Sequence, residues 1–287
     1  MKVAILGAAG KMGKWFVQYF TDMNYDLTVS DIKKEELKRL TKSYRVKLVK
    51  NNLEAVKDAD LTVVSVPINK TTDVLNEITP KLKKGSIVSE IASLKVCVID
   101  VLRECAKFNV QPLSLHPLFG PLWRGKKRFA LIPVLNSERE LEIAKKIFPD
   151  ADFRFVDAEK HDKIMALILS LPYFINMALA STLKDEDFRM LTNFGGTTYT
   201  LQLILMGSIM AQDSEFHFLL HKLNRNSLKY FERFMSNANR IIEIIKNGNA
   251  KEFKAFHKTV NDGLSRSLDL NALYSKMYAA IEFLEKL

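Results

Sequence analysis

Short apolar runs alternate with helix-spaced apolar positions through the first half of the chain. Lys2–Leu6 reads as a buried strand, and Lys11–Met23 puts Met12, Trp15, Phe16, Tyr19 and Phe20 on one helical face. A second strand, Leu27–Ser30, ends at Asp31. A charged helix (Lys33–Lys42), a strand near Val46–Val49 and a helix around Leu53–Lys57 follow. Leu61–Val66 is a β-branched run stopped by Pro67, the pattern of a central parallel strand covered on both faces. Thr71–Leu82 predicts a helix, Ser86–Glu90 a strand, Lys95–Ala106 a helix, and Gln111–Leu115 and Ala130–Leu135 two more strands. This alternation predicts an α/β Rossmann-type fold, a doubly wound parallel sheet.

The pattern changes near Val156. From Ala158 the apolar positions fall at helical spacing, as in Ile164, Leu167, Ile168 and Leu171, with almost no strand signal. The expected organisation is a dinucleotide-binding domain over residues 1–156 and an all-α C-terminal domain over 157–287. The broad apolar content of the second domain suits a homodimer surface. No run reads as long enough to span a membrane.

The net charge of +10 is carried by lysines spread along the chain, as at Lys33-Lys34, Lys83-Lys84 and Lys145-Lys146. No basic module of a nucleic-acid-binding type appears, so the charge is read as solvated faces that attract an anionic small-molecule substrate. Cys97 and Cys105 form neither a disulfide framework nor a zinc spacing, and no metal site is expected. The apolar start Met1–Gly7 is too short for a signal peptide and suits a first strand, which points to a cytoplasmic protein.

Two motifs carry chemistry. Gly7-Ala-Ala-Gly10-Lys-Met-Gly13 joins the first strand to the first helix, a glycine loop that seats a pyrophosphate on a helix N-terminus. Gly7 permits the tight turn, Gly10 lets the backbone approach the phosphates, and Gly13 allows close helix–sheet packing. Asp31 would accept hydrogen bonds from the adenosine ribose and repel a 2′-phosphate, favouring NAD over NADP; its plainer reading is a helix N-cap. The expected cofactor contacts are Gly7, Ala9, Gly10, Lys11, Met12, Gly13, Asp31, Val66 and Pro67. In the second motif, Ser114-Leu-His-Pro-Leu-Phe-Gly-Pro121, His116 stands at the end of a strand, where open α/β sheets bind ligands. A histidine there can take a hydroxyl proton as hydride leaves the same carbon, or be a structural histidine bonded to backbone.

These motifs occur in family order with Ile91-Ala-Ser-Leu-Lys95, Glu159-Lys-His-Asp162, Met206-Gly207, Ala211-Gln-Asp213 and Arg225-Asn226. Together they resemble the prephenate dehydrogenase family, with the His-Pro-x-x-Gly-Pro segment the most specific part. The resemblance implies oxidative decarboxylation of prephenate to 4-hydroxyphenylpyruvate with hydride transfer to NAD. It implies His116 as the catalytic histidine and Ser93 as a serine that positions it, Ser93 otherwise being a helix N-cap. It also implies Arg225 on the ring carboxylate, His161 in the pocket wall, and Lys95 as a further substrate contact. Tyr173 stands where many members have a histidine, and Leu122-Trp123-Arg124 replaces a small or acidic segment, so Arg124 or Lys126 is left to meet the pyruvyl carboxylate. Arogenate is the neighbouring substrate, and a catalytically silent NAD-binding sensor is the alternative from another class. A β-hydroxyacid dehydrogenase would use a lysine in the second domain, for which Ala158–Leu179 offers no motif.

Overall fold

The structure is a computed structural model that describes residues 1–286. The chain divides into two compact units, Met1–Met165 with Phe218–Asn224, and Ala166–His217 with Arg225–Leu287. The division by packing thus falls at Met165 rather than near residue 156, and a short later segment joins the first unit.

The first unit is built on strands β1 (Lys2–Leu6), β2 (Asp26–Ser30), β3 (Val46–Leu48), β4 (Leu61–Val64), β5 (Ile87–Glu90), β6 (Gln111–Pro117), β7 (Arg128–Ile132) and β8 (Asp152–Phe155). Its helices are α1 (Lys11–Asp22), α2 (Lys34–Ser43), α3 (Asn52–Val56), α4 (Ile68–Ile78), α5 (Ile99–Ala106), α6 (Ser137–Ile147) and α7 (Ala158–Met165). The strands form one sheet in the order β3-β2-β1-β4-β5-β6-β7-β8. Strand β1 is covered on both faces, as its unbroken apolar run requires. Val3 and Ile5 pack with Phe16, Phe20 and Val29 on one side, and Ala4 and Leu6 pack with Val64, Leu75 and Val88 on the other.

All neighbouring strands are parallel except β6 and β7, which run antiparallel with His116 opposite Ala130. The doubly wound parallel sheet expected from the sequence is present, with this one antiparallel pair among the described residues. A parallel return needs a crossover of a dozen residues or more, usually a helix, and only the short loop after Pro117 separates the two strands. The edge strand β8, parallel to β7, and the preceding α6 lie in a stretch the apolar pattern does not single out. Helix α5 begins at Ile99, not at Lys95; the amides of Lys95 and Val96, in the loop before it, bond to Asp162.

The second unit contains α8 (Leu171–Leu183), α9 (Phe188–Phe194), α10 (Thr197–Met210), α12 (Ser227–Lys246), α13 (Ala250–Ser265) and α14 (Leu270–Leu284); α11 (Ser214–Leu223) comes between α10 and α12 in the chain. Helix α8 packs on α10 and α12, and Gln202 donates to Asn176 across the α8–α10 contact at 2.6 Å. A π-helical turn, Ala166–Ser170, joins α7 to α8. Pro172 has no N–H to offer residue 168, and a widened turn relieves the clash of its ring with the preceding helix. Ala158–Leu183 is therefore one 26-residue helix whose most apolar window has a mean hydropathy of 1.8. By length and composition it passes for a membrane span, contrary to expectation; His161 and Asp162 in its first turns are nevertheless buried among polar partners.

Candidate active site

The parallel strands β1, β2, β4, β5 and β6 end on one edge of the sheet, and their terminal residues supply the site. Gly7, directly after β1, has φ of +79°, and a side chain there would bring its Cβ within 2.3 Å of the Ser65 carbonyl oxygen. At Gly13 a Cβ would lie 2.1 Å from the Gly7 carbonyl oxygen. These contacts press the loop against the first turn of α1 and the end of β4. The loop's own amides are occupied: Gly7 and Ala8 donate to the Ser30 carbonyl, Gly10 to Gly7, and Ala9 to Asp31 Oδ2 at 2.9 Å. An anion seated here is therefore met by the first turn of α1, whose cap residue, Gly10, has no side chain to occupy it.

Asp31 is not a helix N-cap. Lys33 is the cap of α2, and Asp31 instead accepts from Ala9 and, through Oδ1, from the Lys33 amide at 2.8 Å. Its carboxylate joins the end of β2 to the glycine loop and keeps its remaining lone pairs as acceptors. Val66 is half-buried beside Gly7, and Pro67 caps α4. This cradle, with two positions that admit no side chain, a helix N-terminus and an acidic residue at the next strand end, fits a dinucleotide.

His116 lies inside β6 and is 7% exposed. Its Nδ1 is 3.0 Å from His161 Nε2, and His161 Nδ1 is 2.8 Å from Asp162 Oδ1. The same Asp162 oxygen accepts the Lys95 amide at 2.8 Å, and Oδ2 accepts the Val96 amide at 3.0 Å. Asp162 is thus an acceptor throughout, and its main-chain carbonyl takes a further bond from Asn224 Nδ2 at 2.8 Å. The proton assignment follows from the network. Asp162 fixes the proton of His161 on Nδ1, which leaves Nε2 to accept from His116 Nδ1–H. The lone pair of His116 then resides on Nε2, as a base requires. Burial holds the His116 ring well below the ordinary histidine value, and His161 and Lys95 push it the same way. The ring is therefore neutral at physiological pH.

His161 is buried, with its ring bonded to His116. Ser93 sits half-buried in the loop between β5 and α5, six residues before the helix, so it is not a helix N-cap. Lys95 is corrected more sharply. It is fully buried, and its Nζ donates to Glu90 Oε1 at 2.6 Å and to the Leu115 carbonyl at 2.7 Å, facing the core instead of a ligand. Lys126 pairs with Asp152 at 2.8 Å, and Arg124 is exposed. In the second unit, Tyr173 donates to Gln212 at 3.0 Å and packs on His217 at 4.9 Å between ring centres. Arg225 is exposed, immediately before the cap of α12. Sequence reasoning did not single out Asp162, Glu90 or Ser114. The signal was an acidic residue ending strand β5, and an aspartate directly after a histidine at a helix start. No group of three metal-ligating side chains occurs among the described residues.

Residues 22–132 match the family described as prephenate dehydrogenase, nucleotide-binding domain, and residues 157–259 match prephenate dehydrogenase, dimerization domain. The chain is 27% identical to a probable arogenate/prephenate dehydrogenase of Methanocaldococcus jannaschii, over all of this chain and 67% of that protein. It spans about two-thirds of the length of the curated relatives it matches. Prephenate dehydrogenase from Aquifex aeolicus, solved with hydroxyphenyl propionate and NAD+, superposes with a TM-score of 0.72 at 18% identity, covering 93% of this chain and 98% of that one. Arogenate dehydrogenase of Synechocystis superposes with a TM-score of 0.66 at 16% identity, covering 93% and 100%. With both halves matched in order on an eight-stranded sheet followed by helices, the chain belongs to the prephenate dehydrogenase family of oxidoreductases.

Proposed function

We propose that this chain converts prephenate to 4-hydroxyphenylpyruvate and carbon dioxide with NAD as oxidant, a step of tyrosine biosynthesis. The observation that carries the reading is the Asp162–His161–His116 chain, which leaves a neutral histidine base on the sheet edge that also bears the glycine loop. NAD, when bound, accepts the hydride lost from the substrate's C4. Gly7, Gly10, Gly13 and the first turn of α1 hold its pyrophosphate, with Ala9, Lys11, Met12, Val66 and Pro67 around it. Asp31 takes the adenosine ribose, and its carboxylate disfavours the 2′-phosphate of NADP.

His116 Nε2 takes the C4 hydroxyl proton, and Nδ1–H stays bonded to His161 so that the ring keeps its orientation through the transfer. As the C4 carbonyl forms, the electron pair of the breaking ring–carboxylate bond aromatises the ring, carbon dioxide leaves, and the C4 oxygen takes a proton back from His116 to become the phenol hydroxyl. Ser93 positions the hydroxyl against His116. Arg225 grips the ring carboxylate with its planar guanidinium, and Tyr173 contributes to the substrate wall. Arg225→Ala should chiefly raise KM for the substrate, with a smaller loss in kcat.

A second copy completes the protein. The helical unit exposes Ile168, Phe194, Ile245 and Phe283 at 60%, 87%, 62% and 64%, a homodimer surface by its chemistry.

The test follows reduced nicotinamide by absorbance with purified protein, prephenate or arogenate, and NAD or NADP. Reduction with prephenate and NAD is the expected result. Reduction with arogenate alone would move the substrate to the ammonium-bearing analogue with the same base. Silence in every pair, from folded protein that binds NAD, would favour a sensor.

A further inference from the structure

Behind the histidine lies a buried ion pair that the reaction does not touch. Lys95 and Glu90 are both fully buried, with Nζ and Oε1 2.6 Å apart. Such a pair is costly to desolvate, and apolar residues of similar size often serve stability as well or better. Its hydrogen bonds, however, are unusually complete. Glu90 Oε1 also accepts the Ser114 hydroxyl at 2.5 Å, and Oε2 accepts the Ala92 amide at 2.8 Å. Lys95 Nζ holds the Leu115 carbonyl, the peptide oxygen directly before His116. The Lys95 amide bonds Asp162, which orients His161, which bonds His116. The chain of contacts is therefore closed: Lys95, Asp162, His161, His116, Leu115 and back to Lys95. Ser93 sits inside it, between Ala92 and Lys95, whose amides are both tied down.

We propose that Lys95 and Glu90 are a positioning pair for the base, locking the Ser93 loop to the His116 strand and setting a cation behind the imidazole. This rests on the reading of His116 as the base. The groups that face His116 are His161 from α7 and Lys95 from the β5–α5 loop. Asp162 acts through His161 and Glu90 through Lys95, while Ala130, opposite on β7, carries no charge. Lys95 is among the causes that hold the His116 ring down, so removing its charge moves that ring upward. A purely structural pair would affect folding but leave the ring's titration in place.

The experiment compares full-length wild type with Lys95→Met and with Lys95→Met/Glu90→Gln, in which no unpaired carboxylate is left in the core. Thermal melting and NAD affinity report folding. The His116 ring is titrated by NMR, and kcat and KM are measured against pH. The pair predicts a rise of the His116 pKa in Lys95→Met and a smaller rise in the double variant. It predicts a fall in kcat of about tenfold or more in both variants, with KM little changed. A folded variant whose ring titrates with wild type and whose kcat stays within about twofold overturns the proposal. If Lys95→Met fails to fold, the double variant decides. A wild-type protein silent towards prephenate and arogenate would overturn the functional reading alone, and the ring titration would still judge the pair.

Discussion

At His116 burial, a neighbouring imidazole and a buried ammonium all disfavour the proton. Two consequences follow at the scale of the residue. The acid limb of kcat should lie below the ordinary histidine value of 6.5, visible in a pH–rate profile as activity retained into mildly acidic solution. The same depression links to stability. Between the folded and unfolded values the unfolded chain binds the extra proton, so unfolding becomes easier as pH falls below 6.5 and the loss is complete once the folded value is passed. Melting at about pH 7 and about pH 5 should show this loss in wild type and less of it in His116→Asn. Asp162 governs the proton's place on His161. In Asp162→Asn the new amide meets either the Val96 N–H or the His161–Lys95 donors, and each orientation sets donor against donor. Turnover should drop by about 10²-fold or more while NAD affinity is kept; unchanged kcat in folded protein would remove Asp162 from the relay.

At the scale of elements, the first strand–loop–helix unit is the part a reader of the sequence can place best. Apolar β1, three glycines and an amphipathic α1 agree locally, and the structure leaves no room for a side chain at Gly7 or Gly13. Gly13→Ala should weaken NAD binding strongly and cost about 1–3 kcal/mol of stability, because its Cβ meets backbone rather than a yielding side chain; calorimetric binding and a melt would check both. His116, His161 and Ser93 were legible as residue types in a familiar order, but their partners were not. The bond from His161 to His116 joins residues 45 apart, and Asp162 reaches back 67 residues to Lys95. No local pattern encodes such pairings. Lys95 misled for a related reason: its place in the family order reads as a substrate contact until Glu90 is seen to receive it. The antiparallel β7 hid behind an apolar run that looks the same in either direction, and β8 behind four residues, Asp152–Phe155, with two charges among them.

For the whole molecule, the two units differ in how well each buries its apolar surface. The sheet unit encloses Phe16, Phe20, Phe129 and both faces of β1, whereas the helical unit leaves Phe194, Ile168 and Phe283 largely open. The helix Ala158–Leu183 belongs to this contrast, with 22% of its most apolar window buried. A second copy would cover such a surface, so light scattering should give a dimer mass, and Ile168→Asp should shift it towards monomer. A wild-type monomer at micromolar concentration would contradict the expected assembly. The basic balance of the chain suits a substrate with two carboxylates, and activity should therefore fall with rising salt through KM more than kcat. The central claim is that His116 is the base of a nicotinamide-linked dehydrogenation, and it is tested most directly by mixing prephenate and NAD with wild type and with His116→Asn. Reduced nicotinamide is expected from wild type and a loss of about 10²-fold or more in kcat from the variant, with substrate binding kept. Equal turnover from the two proteins would contradict it.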